Sequence, residues 1–158
     1  MTRSAYVLRG SEIEGVSIHE RKRIADERGT ISRVLSVTDD EFERFGEVYA
    51  SSIYAGAVKG WHRHREMTLN YVCLVGRVKC VLFDDRPGSG TRGSLMEVFL
   101  GPDSYSLLTI PPGVWNGFKG MTDAIVINCC THAHDPSRSE RRPPDDPTIS
   151  YDWSRRDH

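Results

Sequence analysis

The sequence has no apolar run approaching the roughly 20 residues that a membrane-spanning helix needs, so no membrane partner is expected. It has no excess of either charge. Lys and Arg total 21 against 22 Asp and Glu, a formal net charge of -1. A nucleic-acid surface would normally carry a basic excess, so no nucleic-acid partner is expected either. The first residues, MTRSAYVLRGSEIEG, lack the apolar core of a secretory leader, which points to the cytoplasm. The four cysteines, Cys73, Cys80, Cys129 and Cys130, form no CxxC pair and no zinc-cluster spacing. They read as buried, reduced thiols. Internal repeats are absent, and only Asp39–Phe45 reads as helical.

What remains is the composition of one soluble globular domain: 158 residues, 38% hydrophobic and 27% charged. Short apolar-rich runs recur at Thr30–Thr38, Glu47–Ala55, Leu69–Val75, Arg77–Phe83, Leu95–Leu100, Tyr105–Ile110 and Ala124–Cys130. Their lengths suit strands, and their spacing suits an all-β sandwich or barrel. In Arg77–Phe83 the alternation sets Arg77 and Lys79 on one face and Val78, Cys80 and Leu82 on the other. Turns are marked by Gly76, Pro87–Gly93, Gly101-Pro102-Asp103 and Pro111-Pro112-Gly113. The expected organisation is a single domain over 1–158, with a core at about 26–130 and an extended surface tail at 131–158 rich in Arg, Asp and Pro.

The segment GAVKGWHRHREMTLNYVCLVG carries the chemistry. His62, His64 and Glu66 are spaced by two, so a strand would turn all three to one face. Two imidazoles and a carboxylate on one face can move protons or hold a metal. A solvated strand face is the plainer alternative.

A second segment, IPPGVWNGF, completes a resemblance. Gly56, His62, His64 and Gly76, with Pro111, Pro112 and Gly113, resemble the paired motifs of the cupin superfamily. Leu69 and Asn116 stand where the metal-binding cupins have a Glu and a His. The resemblance therefore implies no metal and no other cofactor, with His62, His64 and Glu66 as the one alternative metal set. The ordered segments DERG, GAVKGWH, VLFDDR, SGT and DDPTISYDW, from Asp26 to Trp153, resemble more narrowly the dTDP-4-dehydrorhamnose 3,5-epimerases, cupins that work without metal. The implied fold is an all-β, cupin-type double-stranded β-helix (jelly-roll) barrel.

The resemblance implies an isomerase of carbohydrate biosynthesis. It would epimerise an NDP-4-keto-6-deoxy sugar by removing a proton next to the ketone and returning one on the opposite face. His62 matches the family's base, with His64 beside it. Asn116 and Asn128 stand where the family has a His and its acid Tyr, and as amides they can donate to a ketone or enolate oxygen. Tyr71 and Tyr105 are candidate replacement acids. Arg28 and Lys59 match phosphate-contacting positions, and Arg86 matches a strand-end Arg. With Tyr71 they form the expected substrate-binding set. A homodimer is implied, with Arg28 reaching the partner's site. A 3,4-ketoisomerase using the His62–His64 pair, a metal-dependent cupin, and a catalytically degenerate binding protein are the other readings.

Overall fold

The computed structural model describes residues 8–155, so the first seven residues of the leader reading and the last three of the expected tail lie outside the described residues. The strands are β1 (Leu8–Gly10), β2 (Ser17–Glu20), β3 (Arg23–Asp26), β4 (Gly29–Ser32), β5 (Glu47–Ile53), β6 (Val58–His64), β7 (Leu69–Val75), β8 (Val78–Phe83), β9 (Leu95–Leu100), β10 (Ser106–Ile110), β11 (Trp115–Gly120), β12 (Ala124–Cys130) and β13 (Ser139–Arg141). Two sheets face each other. One runs β1-β9-β8-β11-β6-β13 and the other β2-β10-β7-β12-β5, with antiparallel pairing of neighbouring strands. This is the expected jelly-roll sandwich.

The core follows from period-two alternation. Val78, Cys80 and Leu82 of β8 enter the space between the sheets and meet Leu69, Tyr71 and Cys73 of β7. The odd residues of β8 turn outward, as the alternation predicts. They are not left in water, however. Val81 packs with Trp61, Trp115, Ile149 and Trp153, and Lys79 is fully buried with its ammonium 5.2 Å from the Tyr151 ring centroid.

The tail supplies that cover. β13 extends the first sheet by pairing with β6. Beyond it, Arg142 and Trp61 exchange backbone hydrogen bonds of 2.7 and 3.0 Å. Ile149 and Trp153 are then 2% and 8% exposed. Polar composition hid the anchors: a few large apolar side chains suffice to seat a polar segment on a sheet.

Two further expectations fail locally. Asp39–Phe45 forms turns rather than a helix. Seven residues make a marginal helix, and here Arg21 draws Glu41 into an ion pair at 2.7 Å while Asp39 accepts from Ser36 N at 2.7 Å. The expected strand at Thr30–Thr38 holds only to Ser32. It is one arm of a small separate hairpin with β3, turned at Glu27-Arg28, where Asp26 accepts from Arg28 N at 2.8 Å. The sequence also marks no separate strand at β1, β2, β3, β11 or β13, which are short, polar or glycine-containing.

Candidate active site

The site begins with an irregularity in β6. Asn116 of β11 lies opposite His62, and Phe118 lies opposite Lys59, so β6 spends three steps where β11 spends two. The extra residue is a bulge. Lys59 and His62 are separated by three and would face opposite sides of a regular strand. The bulge turns both into one cavity between the sheets, while Trp61 between them points outward into the tail-covered cluster. Gly117 makes this possible, since a Cβ there would lie 2.9 Å from Gly60 Cα and 3.2 Å from the Trp153 ring.

Tyr49, Ser51, Lys59, His62, Tyr71, Phe118, Val126 and Asn128 line that cavity. His62 comes from one sheet, and Tyr49, Tyr71 and Asn128 come from the other. Burial lowers the His62 pKa, and the nearby charges of Arg141 and Lys59 lower it further. The imidazole is therefore neutral at neutral pH, the state a proton acceptor needs. Lys59 Nζ donates to Ser51 Oγ at 2.8 Å and to the Ser52 carbonyl at 2.6 Å.

Asn128 is fully buried and lies directly opposite Tyr49 across the β12–β5 pair. Its Oδ1 accepts from Asn70 N at 3.1 Å, and its Nδ2 donates to the Tyr49 hydroxyl at 2.9 Å. Burial raises the Tyr49 pKa, while contacts from Asn128 and Tyr71 oppose the rise. Tyr71 lies deeper, under Phe118 with ring centroids 6.1 Å apart, and burial raises its pKa well above the usual phenol value.

Of the residues expected from sequence, the cavity thus gathers His62, Asn128, Lys59 and Tyr71. His64 lies close enough to His62 for His62 to disfavour its charge, but it opens into a depression with Glu66, Met67, His132, Ala133, Asp135 and Arg138. Burial, followed by His62, His134 and Arg141, pushes its pKa down to about 4. Asn116 is buried and donates through Nδ2 to the His62 carbonyl at 3.1 Å, holding the strand that bears the imidazole.

Arg28 sits at the tip of the β3–β4 hairpin, 83% exposed and paired with Asp26 at 2.7 Å. Arg86 lies beyond β8. It binds the buried Asp84 at 2.9 Å and the Glu14 carbonyl at 2.6 Å, and Asp84 also accepts from Ser89 and Thr91. These bonds commit its guanidinium to a loop. Tyr105 belongs to a different cluster, with Val72 and Leu107 on the outward face of the second sheet. The proposed His62, His64 and Glu66 metal set does not form. Glu66 leaves the strand and pairs with Arg138, and among the described residues no three His, Cys, Asp or Glu side chains are grouped to hold a metal. The HxHxE spacing failed because β6 ends at His64.

Sequence reasoning missed Tyr49 and Arg141. Arg141 ends β13 directly opposite His62, and its charge reaches both His62 and His64. Neither has a local motif. Tyr49 reaches the cavity, and Arg141 comes to lie opposite His62, only through strand pairing.

The comparisons agree with this architecture. The family model described as dTDP-4-dehydrorhamnose 3,5-epimerase matches residues 10–158. A Haloferax volcanii protein named "Probable low-salt glycan biosynthesis epimerase Agl13" is 36% identical over 152 residues, covering 92% of this chain and 97% of its own length. A dTDP-4-dehydrorhamnose 3,5-epimerase of Methanothermobacter thermautotrophicus is 29% identical over 150 residues, covering 90% of this chain and 81% of its own. The crystal structure of a dTDP sugar isomerase from Desulfovibrio desulfuricans G20 superposes with a TM-score of 0.89 at 40% identity, covering 92% of this chain and 94% of that one. With the family match running through both sheets, the His62 strand and the tail that covers it, the chain belongs to the dTDP-4-dehydrorhamnose 3,5-epimerase family.

Proposed function

We propose that this protein is a metal-independent isomerase that epimerises a nucleoside-diphosphate-linked 4-keto-6-deoxy sugar at a carbon next to the ketone. The observation that carries this is His62. It is a half-buried imidazole, its charged form disfavoured by burial, that shares a cavity with Lys59 and with hydroxyl and amide groups of the facing sheet.

The C–H bonds beside a ketone are weakly acidic, and removing the proton places negative charge on the ketone oxygen. His62 takes the proton and becomes an imidazolium. The electron pair moves to the oxygen as an enolate. A positioned base contributes about 10²–10⁴-fold to such a step, and donors aimed at the enolate oxygen contribute a comparable amount or more. The donors on this cavity are those of the Asn128–Tyr71–Tyr49 group. His64 borders the site and Asn116 fixes the His62 strand, so both act by positioning.

The cavity encloses about 90 Å³, room for the reacting edge of a sugar, so the nucleotide lies along the outer surface. There the diphosphate meets Lys59 and Arg141, with Arg28 contributed from a partner's hairpin in a homodimer. The exposed Ile24 and Ile31 of that hairpin support such pairing. Arg86, bound to Asp84 and Glu14, stays with its loop rather than the nucleotide. The reading treats the chain as one domain, and the burial of Ile149 and Trp153 favours counting the tail within it. Four free cysteines fit a cytoplasmic enzyme.

The test has two parts. Thermal unfolding with a panel of nucleoside diphosphates identifies the carrier, since a ligand at 100 times its Kd adds about 2.7 kcal/mol of stability. Deuterium incorporation from D2O into a 4-keto-6-deoxy sugar nucleotide then reports proton abstraction. Wild type is expected to exchange, and His62→Ala is expected to lose at least about 10²-fold in rate. Equal exchange by His62→Ala removes the proposal.

A further inference from the structure

Inverting a carbon needs a proton from the face opposite the base. His62 lies on one sheet, so the donor must stand on the other. Among the residues lining the cavity from that sheet, the side chains with a transferable proton at neutral pH are Ser51, Tyr49 and Tyr71. A serine hydroxyl is too weak an acid to give up its proton readily without a strong base. Tyr71 is deeply buried, and burial raises its pKa well above the usual phenol value.

Tyr49 is different in three respects. Its oxygen accepts from Asn128 Nδ2 at 2.9 Å, which leaves its own proton to point elsewhere. The residue is 39% exposed, which gives it access to solvent protons. And Asn128 is itself held, because its Oδ1 accepts from Asn70 N and leaves Nδ2 no choice but to face Tyr49.

We propose that Tyr49 is the proton donor that completes the inversion, with Asn128 and Tyr71 as the residues that position it and receive the charge it leaves. This rests on the epimerase reading. The enolate electron pair forms the new C–H bond with the Tyr49 proton, on the face away from His62. The ketone is restored and Tyr49 becomes a phenolate, stabilised by the hydrogen bond it already accepts from Asn128. Water then reprotonates Tyr49 and takes the proton from the His62 imidazolium, so nothing is oxidised or reduced.

The experiment uses the full chain and dTDP-4-keto-6-deoxyglucose in D2O, with NMR reading deuterium at the carbons beside the ketone and the configuration of the sugar formed. His62→Ala, Tyr49→Phe and Tyr71→Phe are compared with wild type. In Tyr49→Phe, His62 still removes the proton and the enolate is deuterated from the same side. Exchange without inversion is therefore expected, with epimer formation falling by about 10²-fold or more while exchange falls far less. Tyr71→Phe is expected to lose much less epimer. Inversion by Tyr49→Phe at the wild-type rate overturns the assignment and leaves the His62 reading intact. Parallel loss of exchange and inversion, together with loss of stabilisation by dTDP, makes Tyr49 a binding residue and also overturns it. A wild-type protein that binds dTDP but neither exchanges nor inverts removes the epimerase reading and this assignment with it.

Discussion

Replacing Trp153 by Ala tests whether the tail is structural. The ring is 8% exposed and packs 5.1 Å from Trp61 and 4.9 Å from Tyr151, centroid to centroid. A buried Trp hides on the order of 200 Å², about 5 kcal/mol at 25 cal/mol per Å² as an upper bound. Measured truncations of buried aromatics to Ala cost about 3–5 kcal/mol. For a chain of this size that range lowers Tm by roughly 6–20 °C. Differential scanning calorimetry on wild type, Trp153→Ala and Trp153→Phe is the assay, with Phe expected to retain much of the stability. There is also a functional consequence. The ring rests against Gly60 and Gly117, the pair that frames the bulge turning Lys59 and His62 inward. Trp153→Ala should therefore slow turnover at temperatures where the variant is still folded. A Tm drop below about 3 °C, with turnover unchanged, would refute both the packing argument and its link to the site.

His64 makes the protein acid-sensitive. Burial pushes its pKa down to about 4, below the ordinary imidazole value of 6.5, so the unfolded chain binds the proton first as pH falls. Its contribution is intact above about pH 6.5 and is lost towards pH 4. The whole shift corresponds to about 3 kcal/mol, reduced to about 1–2 by solvent screening of a partly exposed group. Urea titrations between pH 7 and pH 4 should show a shallower decline in His64→Gln than in wild type. Equal slopes would contradict the assignment. Asp84→Asn leaves Arg86 without its charged partner and should destabilise by about 3 kcal/mol, while nucleotide affinity measured by calorimetry at a temperature where it is folded stays near wild type. Lys59→Ala should raise KM about tenfold, equivalent to about 1.4 kcal/mol, with kcat less affected, and Lys59→Arg should recover most of the loss. Gly117→Val should fold poorly, because its Cβ meets Gly60 Cα at 2.9 Å and the Lys59 carbonyl at 3.1 Å. Wild-type stability for that variant would mean that the two strands are not so closely apposed.

Where burial repeats along a single strand, the fold was legible. The spans Leu69–Val75, Leu95–Leu100 and Ala124–Cys130 coincide with β7, β9 and β12, because each sends alternate apolar side chains into one core. The tail was not legible for the converse reason. Its anchors, Ile149 and Trp153, stand among Asp, Pro and Arg, and their burial depends on a surface built by residues 61, 81 and 115. Nothing in a window around them says that this surface exists. Lys79 gives the same lesson from beneath. Alternation correctly put it on the outward face, but what lies above that face is set by chain arriving some seventy positions later.

The site divides along the same line. His62 could be read because its spacing is local and its segment matches a family motif. Lys59 could be named by resemblance, but its place beside His62 depends on a bulge that spacing alone would deny, since three positions on a regular strand separate the two faces. Tyr49 could not be found at all. It acquires a role only when β12 pairs with β5 in the register that sets Asn128 against it, and a one-residue slip would turn its hydroxyl to the other face. The same pairing explains how Asn128 can serve a proton transfer without being an acid. An amide cannot give up a proton to an enolate, but it can hold a phenol in place and stabilise the phenolate left behind. The loss of an acid at one position and the presence of a phenol directly across the ladder are then one arrangement, in which the donor has moved by one strand while the cavity it serves has stayed where it was.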